Sequence, residues 1–179
     1  MTNVLTTNKN FLSQLGFVFK IQRLPNVEYF CQSGNIPGIT LGVSTFKTPF
    51  KDIPVPGDHL EYEDLTITFK VDEDLQSWLE IYNWMTGLGF PESFDQFNEL
   101  KAQNPRVGRA PSKNNVVMSD ATMTVLSSNM NPKFRINFHD LFPIALSGIN
   151  FSSTDDDVAH ITASATFKYL IFKVERIGS

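Results

Sequence analysis

The chain has 179 residues, 19% of them charged, with 15 Lys+Arg against 19 Asp+Glu and a formal net charge of −4. Its hydrophobic fraction of 41%, with 16 Phe, excludes a disordered tail or linker and predicts a single domain, 1–179, with a substantial core. The negative balance also argues against a nucleic-acid-binding surface, which needs concentrated Lys and Arg.

Residues 1–14 read as a polar N-terminal arm, with no basic start and apolar run of the kind a signal peptide carries. No apolar stretch approaches the roughly 20 residues that span a bilayer. From Leu15 to Arg23 the pattern alternates, with Phe17, Phe19 and Ile21 on one face. Val27, Tyr29 and Cys31 alternate next, so with Leu24-Pro25-Asn26 as a turn the two runs predict a β-hairpin. Cys31 is the one cysteine, so no internal disulfide forms, and its alternating position fits a buried structural thiol. Residues 37–58 carry Pro37, Pro49, Pro54 and Pro56 with three glycines, which predicts an extended arm or edge segment in place of a helix.

The clearest strand follows, with Leu65, Ile67, Phe69 and Val71 on one face and Thr66, Thr68 and Lys70 on the other. At Asp72 the period changes. Asp72 suits a helix cap before Glu73 and Asp74, and Leu75, Trp78, Leu79, Tyr82 and Met85 form an apolar stripe ending at Gly87. Residues 89–115 read as a long loop, anchored by Phe90, Phe94, Phe97 and Leu100 or forming there a short helical turn. Beyond it, Ala121, Met123 and Val125 pair with Phe134, Ile136 and Phe138 as a second hairpin around Asn129-Met130-Asn131-Pro132. The last run places Ile161, Ala163, Ala165, Phe167, Tyr169 and Ile171 on one face, with Thr162, Ser164, Thr166 and Lys168 opposite. The predicted fold class is α+β, mostly β: two packed antiparallel sheets or a β-barrel, one flanking amphipathic helix and a long loop.

Charge is unevenly spread. Residues 52–99 hold twelve acids and one base, Lys70, a net of −11, while the rest of the chain holds seven acids and fourteen bases, a net of +7. Opposed charged surfaces of this kind can meet in self-assembly, or folding can intermix them. The candidate contacts are the basic Lys101, Arg106, Arg109 and Lys113 and the acidic Asp58, Glu61, Glu63 and Asp64.

Catalytic signals are sparse. His59, His139 and His160 lack ligand spacing, and no HExxH, CxxC, GxSxG or phosphate-loop pattern occurs. Asp155-Asp156-Asp157 lacks the spacing of a calcium loop and reads as a solvated turn. Glu61, Glu63 and Asp64 could supply a carboxylate pair only by converging in a pocket. An enzyme is therefore not expected, nor a cofactor, a bound metal or a membrane-spanning segment.

The order of short phrases carries more. It runs Asn10-Phe11-Leu12, Gly16-Phe17, Gln32-Ser33-Gly34-Asn35-Ile36-Pro37-Gly38 and Ile53-Pro54-Val55-Pro56-Gly57-Asp58. Leu65-Thr66-Ile67-Thr68-Phe69, Val71-Asp72-Glu73-Asp74 and Trp84-Met85-Thr86-Gly87-Leu88 follow. This series, from about Asn10 to Phe172, resembles the tail-tube family of contractile-tailed bacteriophages, including the baseplate relatives that start the tube.

The resemblance implies a structural virion protein assembled in the host cytoplasm. Its homo-hexameric rings would join strands into an inner barrel and stack into the tail tube. Implied partners are the tail sheath protein, baseplate hub or tube-initiator proteins, and a tape measure protein in the lumen. DNA would pass through without specific binding, past a wall lacking dense Lys and Arg. Thr66, Thr68, Thr162, Ser164 and Thr166 are the candidate lumen-facing residues. Between the repeating tube subunit and an initiator, the absence of anything resembling an appended baseplate domain favours the tube subunit. A monomeric binding module using loop 89–115 is the reading from another class.

Overall fold

In the computed structural model the described residues are 16–102, 117–151 and 160–177. Strands dominate: β1 (Phe17–Ile21), β2 (Cys31–Gly34), β3 (Ile39–Lys47), β4 (Asp52–Tyr62), β5 (Leu65–Lys70), β6 (Ser119–Leu126), β7 (Pro132–Leu146), β8 (Thr162–Lys168) and β9 (Ile171–Arg176). Helices are α1 (Pro25–Phe30), α2 (Gln76–Gly89) and α3 (Asp95–Ala102).

Seven strands form one antiparallel sheet in the order β1-β6-β7-β8-β5-β2, with β9 also paired to β7. The long β7 serves two neighbourhoods. Its first part, Phe134–His139, lies between β6 and β9, and its last part, Phe142–Leu146, pairs with β8. Between them Asp140 takes φ 54°, a left-handed conformation that Asp tolerates better than most residues. Its N–H donates to Asp120 Oδ1 at 3.2 Å, and the β6 ladder shifts register beside it.

Alternating residues from both parts of this sheet meet in one core. Phe19, Ile21, Ala121, Met123, Ile136 and Phe138 come from the first part, and Leu65, Ile67, Phe69, Ala163, Ala165 and Phe167 from the second. The packing is close: a Cβ added at Gly34 would lie 3.0 Å from Met123 Cε. No closed barrel is present among the described residues: the two parts of the seven-stranded sheet, joined through β7, enclose the core, and β3 and β4 form a second sheet apart from it.

The α2 helix is anchored at both ends of its buried face. Trp84 Nε1 donates to the Val117 carbonyl at 2.8 Å, and Trp78 Nε1 to the Ser147 carbonyl at 3.1 Å. Asp72 accepts from the backbone N–H groups of Gln76 and Ser77 at 3.0 and 2.9 Å and from the Ser77 hydroxyl at 2.7 Å. These bonds satisfy donors that a helix start leaves open. Together they outweigh the effect of burial and hold the Asp72 carboxyl below the usual carboxylate range.

Four expectations need correction. Val27, Tyr29 and Cys31 do not continue a strand: Pro25 opens α1, so β1 pairs with β6 and no hairpin joins it to β2. Leu24 and Val27, both buried, are three residues apart as a helical face requires. In α2 the buried positions are Ser77, Ile81, Trp84 and Gly87, whereas Leu79 and Tyr82 of the expected stripe are exposed. The stretch 89–115 contains α3, so α2 is not the only flanking helix. Finally, the run through Ile171 breaks after Lys168 into β8 and β9, which pair with different parts of β7.

Candidate functional site

Two surfaces stand out, and both lie outside the core. The first is an arm. β3 and β4 pair only with each other, as a two-stranded sheet separate from the seven-stranded one. The Pro/Gly-rich segment 37–58 is therefore mostly a long hairpin. Neither strand contains a buried residue, yet Ile39, Leu41, Val43, Phe46, Ile53, Val55 and Leu60 are all large, apolar and exposed.

Backbone chemistry explains how two prolines fit in this ladder. Pro54 and Pro56 stand opposite Thr45 and Val43, with Ser44↔Val55 and Phe46↔Ile53 beside them. Alternate residues direct their nitrogens the same way, so both prolines face the outer edge of β4, where no N–H is needed. Gly57 lies against Gly42 where the register shifts. An added Cβ there would come within 2.6 Å of the Gly42 carbonyl oxygen, so the close approach requires glycine. At the far end Thr48 Oγ1 donates to the Lys51 carbonyl at 2.6 Å and accepts from the Lys51 N–H at 3.1 Å. This fixes the tip, where Phe50 is 99% exposed.

The arm is tied to the body at its base. Tyr62 packs edge-on against Tyr169 and Phe172 at 6.0 and 5.5 Å between ring centroids. The Tyr169 hydroxyl donates to the Glu63 carbonyl at 2.8 Å, and burial pushes its pKa up to about 12. Glu63 Oε2 accepts the Gly38 N–H at 3.2 Å, and Asp64 pairs with Lys168 at 2.7 Å. Of the four acidic candidates, Glu63 and Asp64 thus hold the arm's root, while Asp58 and Glu61 lie exposed on the arm itself. Their distinct partners are not the shared pocket that hydrolysis would require.

The second surface is a polar sheet face. Thr66 and Thr68 on β5 stand directly opposite Thr166 and Ser164 on β8, and Lys70 opposite Thr162. Thr66 and Thr166 hydroxyl oxygens are 3.4 Å apart. Ser33 on β2 pairs with Thr68, and the Ser147 hydroxyl accepts the Ser164 N–H at 2.9 Å, so hydroxyls run across the sheet from β2 to the end of β7. Asn35, which the sequence reading did not single out, accepts from the Thr66 N–H and donates to the Asp64 carbonyl. The five residues expected on one polar face do share it, and none is buried in the protomer's core.

The basic candidates fare differently. Lys101 falls in the last turn of α3, and Arg106, Arg109 and Lys113 lie outside the described residues, as do Asp155-Asp156-Asp157 and the N-terminal arm 1–14. Among the described residues no group of His, Cys, Asp or Glu could hold a metal ion, and no helix is long and apolar enough to cross a membrane. Cys31 is half-buried, and burial pushes its thiol up to about 11, an unreactive setting.

Comparison with known proteins gives this geometry a lineage. The family model described as phage tail tube protein matches residues 3–175. The tail tube terminator protein of Enterobacteria phage T4 is 30% identical over 184 residues, spanning 99% of this chain and 97% of that one. Among solved structures, the tube terminating cap of the anti-feeding prophage superposes with a TM-score of 0.64 at 12% identity, covering 99% of both chains. A chain of the PVC sheath–tube complex in its extended state gives 0.57 at 11% identity, covering 94% of each. The chain belongs to the phage tail tube protein family, structural proteins of the phage tail and not enzymes.

Proposed function

We propose that this protein forms a hexameric ring that ends the inner tube of a contractile tail. The observation that carries the assembly reading is the arm, with seven large apolar side chains along its strands left to solvent. Phe46, Ile53 and Val55 lie on the face of the hairpin opposite to Val43, and a free monomer rarely leaves so much apolar surface uncovered, whereas a ring or stack of copies covers it. Likeness over full length to a terminator supports the last ring over the repeating tube subunit, the reading favoured by the absence of anything resembling an appended baseplate domain.

In that ring the free edges of β2 and of the last part of β7 join neighbouring copies, and the hydroxyl face of β5 and β8 lines the bore. Thr66, Thr68, Thr162, Ser164 and Thr166 would give the bore a mostly hydroxyl-lined wall, with Lys70 and the Asp64–Lys168 pair at its ends, past which a tape measure protein and DNA move with few ion pairs. Lys101, Arg106, Arg109 and Lys113 would meet acidic surface on an adjacent copy. The sheath and the preceding tube ring are the outer partners, and the baseplate lies at the opposite end.

Purified protein mixed with tubes and sheath components tests the role. A terminator binds one end of each tube and stops its growth, visible as a single ring in negative-stain images. A tube subunit lengthens the tubes, and a chain that remains a 20 kDa monomer and binds neither end overturns the assembly reading.

A further inference from the structure

Where α2 ends, Phe90 takes a left-handed conformation and its N–H closes on the Thr86 carbonyl at 2.6 Å. The turn brings Phe90, Phe94 and Phe97 into mutual edge and tilted contacts at 5.5–6.0 Å between centroids. Phe90 and Phe94 nonetheless remain 45% and 59% exposed. Three phenyl rings packed on one another, Phe90 and Phe94 exposed and Phe97 half-buried, form an apolar platform that the other described residues leave open. Beside it, a groove of about 250 Å³ between α2 and α3 is lined by Asn83, Thr86, Gln96 and Glu99. Glu92, Asp95 and Glu99, all exposed, make this end of the body acidic.

The arm's tip is the complement of this surface. It carries one fully exposed phenyl ring, Phe50, on a turn that the Thr48 hydroxyl holds in shape. Lys47 and Lys51, both exposed, flank the ring, so an aromatic knob sits between two cations. We propose that the tip of one copy seats on the Phe90–Phe94–Phe97 platform of a neighbouring copy, with Lys47 and Lys51 facing Glu92, Asp95 and Glu99. Burying Phe50 supplies the apolar contribution, and the charge match sets the orientation and rejects wrong partners. A turn fixed in advance loses little freedom on docking. The partner is therefore a second copy of this chain, a statement that rests on the ring-forming reading above.

Paired cysteines test the contact. In a Cys31→Ser background, Phe50→Cys with Phe94→Cys should give, on oxidation of assembled protein, a reducible ladder of covalent oligomers beyond the dimer. Either cysteine alone should stop at dimers. Both positions are exposed, so thermal unfolding by circular dichroism should match the background protein. In a second variant, Lys47→Glu with Lys51→Glu should weaken self-association at least tenfold, and adding Glu92→Lys with Glu99→Lys in the same chain should restore it. Rings that form without the ladder, with charge variants that assemble like wild type, overturn the docking and leave the ring reading intact. A wild-type chain that stays monomeric, alone and with tubes, overturns both.

Discussion

Body and arm are built from the same residue types, yet they use them in opposite ways. In β5 and β6 every second residue is buried, and the apolar side chains Leu65, Ile67, Phe69, Ala121, Met123 and Val125 meet in one core. In β3 and β4 Ile, Leu, Val and Phe recur at similar density, and none is buried. Burial in the body stabilises the protomer, by about 25 cal/mol for each Å² of apolar surface removed from water. The same term is still unspent in the arm. A two-stranded sheet is marginal alone in water, so the arm depends on its aromatic root and on whatever finally covers it. The difference separates folding from assembly within one chain.

The strongest challenge to that division is in the body. Trp84→Ala removes a fully buried indole, its contact with Phe167 and its N–H bond to the Val117 carbonyl. A loss of about 3–5 kcal/mol is expected in urea unfolding. A loss below about 1 kcal/mol would mean that stability resides elsewhere.

Gly57→Ala places a methyl group where the Gly42 carbonyl already stands, for a strain of about 1–3 kcal/mol. Confined to the arm, it should speed amide exchange in β3 and β4 and leave exchange in β5–β8 as it is. Faster exchange throughout would join arm and body into one cooperative unit.

Asp72→Ala should cost about 1 kcal/mol at neutral pH by freeing the N–H groups of Gln76 and Ser77. Because the folded carboxyl titrates below its unfolded value, this stability is fully present above the unfolded pKa and lost as pH falls through the folded one. Thermal midpoints of variant and wild type should therefore converge in strong acid, and a constant gap would discount the carboxylate.

The smallest effect on folding sharpens the contrast most. Val43→Ser with Phe46→Ser should leave the thermal midpoint of the body unchanged, since exposed sites of this kind shift stability by about 0.5 kcal/mol or less. Assembly measured by sedimentation should nevertheless fail. Normal assembly would remove the arm from the interface.

What the sequence made legible follows the same boundary. Alternation placed β5, β6, the start of β7 and the polar face of β8, because in those strands burial and period agree. It misread residues 27–30, where Val27 and Tyr29 alternate as in a strand; the Pro25 start and the Leu24–Val27 spacing were the helical signals available. The apolar stripe of α2 runs through the exposed Leu79 and Tyr82 because hydropathy does not distinguish a residue held for the core from one left on the surface. Ser77, buried and bonded to Asp72, is polar, so a stripe of apolar residues leaves it out. Proline content marked segment 37–58 as an arm, but its pairing register depends on a two-glycine contact between Gly42 and Gly57 that no local pattern encodes. The platform of three phenyl rings was half visible as Phe90, Phe94 and Phe97. Their exposure follows from how α3 sits against α2, a tertiary outcome.

Pro54 and Pro56 on the outer edge of β4 also set a number: how many strands the arm can recruit. An ordinary hairpin has two open edges, so identical copies can add to each other without limit, as in cross-β fibres. With two N–H donors missing from the outer edge of β4, only β3 offers an edge free of proline, and the arm's pairing valence falls toward one. Units of valence one stop at pairs. A free copy can thus carry its apolar arm in the open with the outer edge of β4 a poor seed for fibres.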